Sequence, residues 1–145
     1  KFKMLNSTLK KFNYPENLIK EYNNWYLLIR PDQVTFGSMV LIEKKNKKKL
    51  SDISIKSFNE LKIISKKIEN FFLKRFRFNK INYLILMMVD PHVHIHIIPR
   101  HKKKVIFGGK TFKDYGYPMP PNLSKKNAIN KNILTKLKIK LEQGL

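Results

Sequence analysis

The chain contains no cysteine, which excludes disulfides, thiolate nucleophiles and zinc sites built on Cys. That absence suits a reducing, cytoplasmic location. Acids are scarce as well: 10 Asp and Glu face 31 Lys and Arg, for a formal charge of +21. No apolar run approaches the ~20 residues that cross a bilayer, and the stretch "INYLILMMV" is only strand-sized, so no membrane partner is expected. The charged residues near the start are not followed by an apolar h-region, so no secretion signal is expected in the stretch given. Gly/Ser linkers, repeats and breaks in composition are also missing, which predicts one domain over residues 1–145.

What remains is a globular composition. Hydrophobic residues make up 42% and aromatics 12% of 145 residues, enough to bury a core without staples. The excess of positive charge makes polyanions natural partners: nucleic acid through a basic surface, or small phosphorylated molecules. Heavy use of Lys, Asn and Ile has a second explanation, the codon bias of an AT-rich genome. The scarcity of arginine, the residue favoured for phosphate forks and base reading, agrees with that.

Residues 1–13 are basic and polar and are expected to fray. "YPENLIKEY" (Tyr14–Tyr22) reads as a short helix with Pro15 in its first turn. Trp25–Arg30 and Ser38–Lys44 read as strands, and the short, turn-rich "RPDQVTFG" between them predicts antiparallel pairing. A helix start is expected at Ser51 or Ser54. From Ile55 onward, Phe58, Leu61, Ile64, Ile68, Phe71 and Phe72 recur at helical spacing, predicting one long helix that ends near Arg77–Asn79. Ile81–Met88, nearly all apolar, predicts a central strand covered on both faces. A tight "VDP" turn then leads into a strand from His92 to Ile98. Residues 99–127 read as a long functional loop, and residues 128–142 as an amphipathic C-terminal helix. The expected class is α+β: an antiparallel sheet of about five strands with one long helix and a C-terminal helix.

All four histidines fall within "PHVHIHIIPRH". Side chains alternate across a strand, so His92, His94 and His96 share one face, with neighbours about 6.5–7 Å apart along the backbone. Val93, Ile95 and Ile97 share the other face and are free to pack beneath the long helix. Three imidazoles buried together need partners for three donors and three acceptors, so the row implies a site rather than a packing accident. His101 lies outside the alternation and reads as solvated surface. Two chemistries fit the row. Strand histidines at i and i+2 can share a metal ion, although few carboxylates are at hand and Asp90 sits in a turn. Alternatively, one imidazole attacks phosphorus while its neighbours orient it and assist the leaving group.

"HVHIHIIP" resembles the signature of the histidine triad family of nucleotide hydrolases and transferases. The resemblance runs through strand, glycine turn, strand, long helix, "INYLILMM" and the triad strand, roughly Trp25 to Arg100. "DYGYPMPP" is similar to the aromatic and proline tail of a bacterial branch akin to the fragile-histidine-triad, dinucleoside polyphosphate hydrolases. The resemblance implies that His94 attacks the α-phosphate to give a nucleotidyl-histidine intermediate. It implies that His92 orients His94 partly through its backbone carbonyl, and that His96 contacts the bridging oxygen. It further implies substrate contacts from Asn82 to phosphate, from Arg30 near the ribose, and from Ser38. No cofactor or resident metal is implied, although a divalent ion can accompany the nucleotide. Members commonly pair as homodimers that extend the sheet.

Two departures stand out. The "Gly-His" step that supplies a fourth histidine in many members is Gly37–Ser38 here, and the glycine- and glutamine-bearing loop before the triad is absent. Ser38 can donate one hydrogen bond but carries no positive charge. The expected function is nucleotidyl hydrolysis or transfer at an α-phosphate, with a dinucleoside polyphosphate as substrate. The alternatives are a nucleotide- or nucleic-acid-binding module with little turnover and a metal-dependent enzyme.

Overall fold

A computed structural model describes residues 6–78 and 80–145. Its centre is a five-stranded sheet in the order β1-β2-β3-β5-β4, every neighbouring pair antiparallel. The strands are β1 (Leu18–Glu21), β2 (Trp25–Ile29), β3 (Met39–Glu43), β4 (Lys80–Leu84) and β5 (His94–Arg100). One face carries the main core beneath the long helix α2 (Ile55–Phe76) and the C-terminal helix α3 (Lys131–Gly144). The other carries a small apolar cluster under a short helix, α1 (Ser7–Lys11).

Helix α2 begins where Ser54 accepts from the Ser57 backbone N–H, and it ends at Arg77 in the left-handed region. Ile64, Ile68, Phe71 and Phe72 are buried, which is the i, i+4, i+7, i+8 stripe that one sheet-facing surface requires. Fully buried Trp25 donates its indole N–H to the Ser57 carbonyl at 2.9 Å, tying β2 to the first turn of α2. Gly37 makes the β2–β3 turn at φ +82°. A Cβ there would come within 2.6 Å of the buried Phe72 ring, so the turn and the core together demand glycine.

The pairing of Trp25–Ile29 with Met39–Glu43 is as expected. Several other expectations are corrected. Leu18–Glu21 is a strand, not part of a helix over Tyr14–Tyr22: it pairs with Tyr26–Leu28 and buries Ile19, so tertiary pairing overrides local propensity. Ile81–Met88 is not a central strand. β4 stops at Leu84 and forms the sheet edge, leaving Leu86 and Met88 exposed. The triad strand starts at His94 rather than His92, and Ile85–Val93 replaces the short "VDP" turn. Residues 99–127 are not loop throughout, since β6 (Val105–Phe107) and β7 (Lys110–Phe112) form a hairpin there whose Phe112 enters the core. The C-terminal helix is set to Lys131–Gly144 by Asn130, which caps the Ile133 N–H. Within the stretch expected to fray, residues 1–5 lie outside the described ones. Asn6 caps α1, and Leu9 and Phe12 are buried.

Candidate active site

Strand register builds the histidine face. His94 lies opposite Ile42 and His96 opposite Val40, while Val93, Ile95 and Ile97 enter the main core on the far side. That apolar face fixes the strand, because a one-residue slip would put His94 and His96 into the core. His92 precedes the strand and is half-buried.

The three imidazoles have different surroundings. His94 is 2% exposed, and its Nδ1 lies 2.7 Å from the His92 carbonyl oxygen. A carbonyl only accepts, so Nδ1 carries the proton and Nε2 keeps a free lone pair. The His92 ring meets Thr8 Oγ1 at 3.2 Å, and Thr8 is fully buried on α1. The His96 ring stands edge-on to His94, centroids 4.8 Å apart, and its Nδ1 is buried without a partner. Burial, then the charge of Arg30, then His94 push His96 down to about 3, so it is neutral at pH 7.

Helix α1 roofs this row. The Phe12 ring lies 5.9 Å from that of His96 and 6.3 Å from that of His94, and Lys11 Nζ reaches Asp90 at 2.7 Å. Beside them opens a cleft of about 370 Å³, lined by Lys11, Phe12, Arg30–Asp32, the Leu86–Asp90 stretch, His94, His96 and Leu123. Arg30 is 9% exposed, its Nε and Nη1 have no hydrogen-bond partner, and burial lowers its pKa.

The structure therefore brings together His92, His94, His96 and Arg30, but not the other two residues that the sequence suggested. Ser38 is buried in the β2–β3 turn, where its hydroxyl donates to the Thr35 carbonyl and accepts from the Thr35 N–H. Asn82 shares the histidine face, yet its side-chain oxygen accepts from Arg100 Nη1 at 2.8 Å, outside the cleft. His101 is not solvated surface. It is 5% exposed and stacks on Phe78 at 5.0 Å, with Nδ1–H donating to the Lys103 carbonyl. Lys45 and Lys47–Lys49 are exposed, as are Lys102–Lys104. Sequence reasoning missed Thr8, Lys11 and Phe12. The available signal was "NSTLKKF", an Asn N-cap followed by Leu9 and Phe12 at i, i+3.

Among the described residues, no group of three or more His, Cys, Asp or Glu could hold a metal ion, and no helix is long and apolar enough to cross a membrane.

The lowered pKa of His96 has a consequence for stability. The unfolded chain binds this proton near pH 6.5, while the folded chain resists it until about pH 3. Stability must therefore fall as the pH drops below about 6.5, by up to about 2 kcal/mol at pH 5 from this residue. His92 and His101, also lowered chiefly by burial, act in the same direction. Urea midpoints at pH 7 and pH 5 should differ, and His96→Gln should shrink the difference. An unchanged difference in the variant would assign the acid sensitivity to other groups.

The comparisons with known proteins agree with this geometry. A family model described as the HIT domain matches residues 11–103. No curated protein sequence matches the chain. Among solved structures, a histidine triad protein from Marinobacter aquaeolei VT8 is similar with a TM-score of 0.75 at 17% identity, covering 98% of this chain and 95% of that one. Plasmodium falciparum diadenosine triphosphate hydrolase gives 0.65 at 14% identity, covering 90% and 77%. A zinc-bound histidine triad family protein from Mycobacterium smegmatis gives 0.58 at 14% identity, covering 90% and 89%. At these identities the likeness is one of fold.

Proposed function

The chain belongs to the histidine triad family, and from that premise we propose that it is a nucleotidyl hydrolase or transferase working through His94. The observation that carries the reading is the hydrogen bond from His94 Nδ1–H to the His92 carbonyl, which leaves Nε2 free beside an open cleft. In the first step the Nε2 lone pair forms an N–P bond to the α-phosphorus. The bridging oxygen departs with the electrons of the broken P–O bond. His96, neutral at pH 7, assists that oxygen by donating a hydrogen bond rather than a whole proton. Water then adds to phosphorus and gives up a proton to bulk solvent, the N–P electrons return to His94 Nε2, and the nucleoside monophosphate is released. His92 orients His94 through its carbonyl, while Thr8 holds the His92 ring.

The proposed substrate is a dinucleoside polyphosphate. The net charge of +21 favours a highly anionic molecule, and one structural neighbour is a diadenosine triphosphate hydrolase. The exposed edge of β4 suits pairing with a second copy of the chain. The test is intact-protein mass spectrometry after brief mixing with adenylyl donors, quenched so that a phosphoramidate survives. An added nucleoside monophosphate is expected on the wild type and not on His94→Ala. No adduct and no released monophosphate from any donor would favour a nucleotide-binding module instead.

A further inference from the structure

We propose that Arg30 holds the departing half of the substrate, so that the site selects nucleotide conjugates whose leaving group is a phosphate over those whose leaving group is an amine. This inference rests on the hydrolase reading above and adds to it a residue and a criterion of choice.

Sheet register fixes where Arg30 stands relative to the histidines. On the histidine face, Ile42 of β3 stands opposite His94 and Val40 opposite His96. Leu28 of β2 stands opposite Val40. Arg30 follows Leu28 by two residues, so it projects from the same face, and its backbone N–H donates to Ser38 one step further along the ladder. The order along the face is thus His94, His96, Arg30. An in-line attack by His94 expels the leaving group on the far side of phosphorus. His96 is the next group in that direction, and Arg30 lies beyond it. Two strand spacings separate β2 from β5, roughly 10 Å, a gap that a long arginine and a phosphate can bridge between them.

Arg30 also holds hydrogen-bond donors that the protein leaves unused. A guanidinium carries five donors, and here Nε and Nη1 are buried with no acceptor. Asp32 lines the same cleft and attracts Arg30 through space, but its hydrogen bond goes to Lys126 at 2.9 Å. Burying an unpaired charge is costly, so a group kept in this state is suited to a mobile anion. Arg30 lines the cleft that holds His94 and His96. A neutral His96 can steady an oxygen that leaves as a phosphate anion, whereas an amine must receive a full proton to leave. The site is equipped for the first and poorly equipped for the second.

The experiment compares two substrates that share an AMP half. Diadenosine triphosphate expels ADP, and adenosine 5′-phosphoramidate expels ammonia. Arg30→Met is expected to lower kcat/KM for the dinucleotide about 100-fold while changing the phosphoramidate less than about 3-fold. Arg30→Lys should restore part of the loss. Because the variant removes an unpaired buried charge, its Tm should rise by about 3 °C or more. Equal losses on both substrates would mean that Arg30 contacts the shared AMP half, and no loss on either would mean that it contacts neither; both results overturn the proposal. If the wild type turns over neither substrate and forms no adduct, the hydrolase reading fails. Equilibrium binding then decides the role of Arg30. Arg30→Met should weaken inorganic tripolyphosphate at least 10-fold and leave AMP unchanged, and equal weakening of both would overturn the assignment.

Discussion

His94→Ala is expected to reduce turnover by at least about 10⁴-fold, with the covalent nucleotidyl intermediate lost altogether. The size of the effect follows from the lack of a substitute. His92 ends near Thr8 rather than in the cleft, and His96 is edge-on to His94, past the point where an attacking nitrogen is needed. Neither can reach the same phosphorus from the same side. His96→Ala should cost less, about 10- to 100-fold, because a phosphate leaving group departs without a full proton. Free imidazole should restore a part of the His94→Ala activity, since truncation of a buried ring beside an open cleft leaves room for it. His101→Ala is the control. Its ring packs on Phe78 outside the cleft, so stability should fall while kcat stays within a few-fold of the wild type. Single-turnover kinetics with a diadenosine polyphosphate reads all four. A His94→Ala enzyme that retained more than a hundredth of the wild-type rate would remove this residue from the nucleophile's place.

The histidine face was legible because its signal is local. Alternation from His94 onward puts His94 and His96 on one face whatever the sheet does elsewhere, whereas His92 precedes the strand. Helix α2 was legible for a similar reason, as its buried stripe needs only a flat partner. The misread elements depend on neighbours distant in sequence. "LIKE" at Leu18–Glu21 is helix-compatible on its own and becomes a strand by pairing across the Asn23–Asn24 turn with β2. The apolar run after Ile81 reads as a central strand, yet the order β3-β5-β4 puts it at the edge, and no pattern within the run carries that order. His101 beside three lysines reads as surface until Phe78, from the end of α2, is laid over it. Arg30 was legible as a candidate, but its unused donors were not. That depends on Asp32 bonding to Lys126, 94 residues on in the sequence.

The largest loss of stability is expected outside the cleft. Asp114→Ala should lower the unfolding free energy by about 3–5 kcal/mol, or about 10 °C in Tm. Arg100 Nε meets Asp114 Oδ2 at 2.7 Å and Nη2 meets Oδ1 at 3.1 Å, a two-pronged pair with side chains 5% and 1% exposed. The same carboxylate accepts the backbone N–H groups of His101 and Gly116, while Arg100 also donates to the Met119 carbonyl and to Asn82. One residue thus ties the aromatic and proline-rich segment after β7 to the triad strand and to edge strand β4. Truncation leaves a buried guanidinium without its counter-charge and frees two backbone donors. Replacing both partners by apolar residues, Arg100→Met with Asp114→Leu, should recover much of the loss, because the penalty lies in the orphaned charge rather than in the missing attraction. Urea denaturation reads this as a lower midpoint at unchanged m-value, and an unmoved midpoint would refute it. Well below the lowered transition, kcat should change little, since neither Arg100 nor Asp114 lines the cleft. By the same logic Asn82→Ala should act on stability through Arg100, and a selective rise in KM instead would return Asn82 to the phosphate-binding role that the sequence suggested.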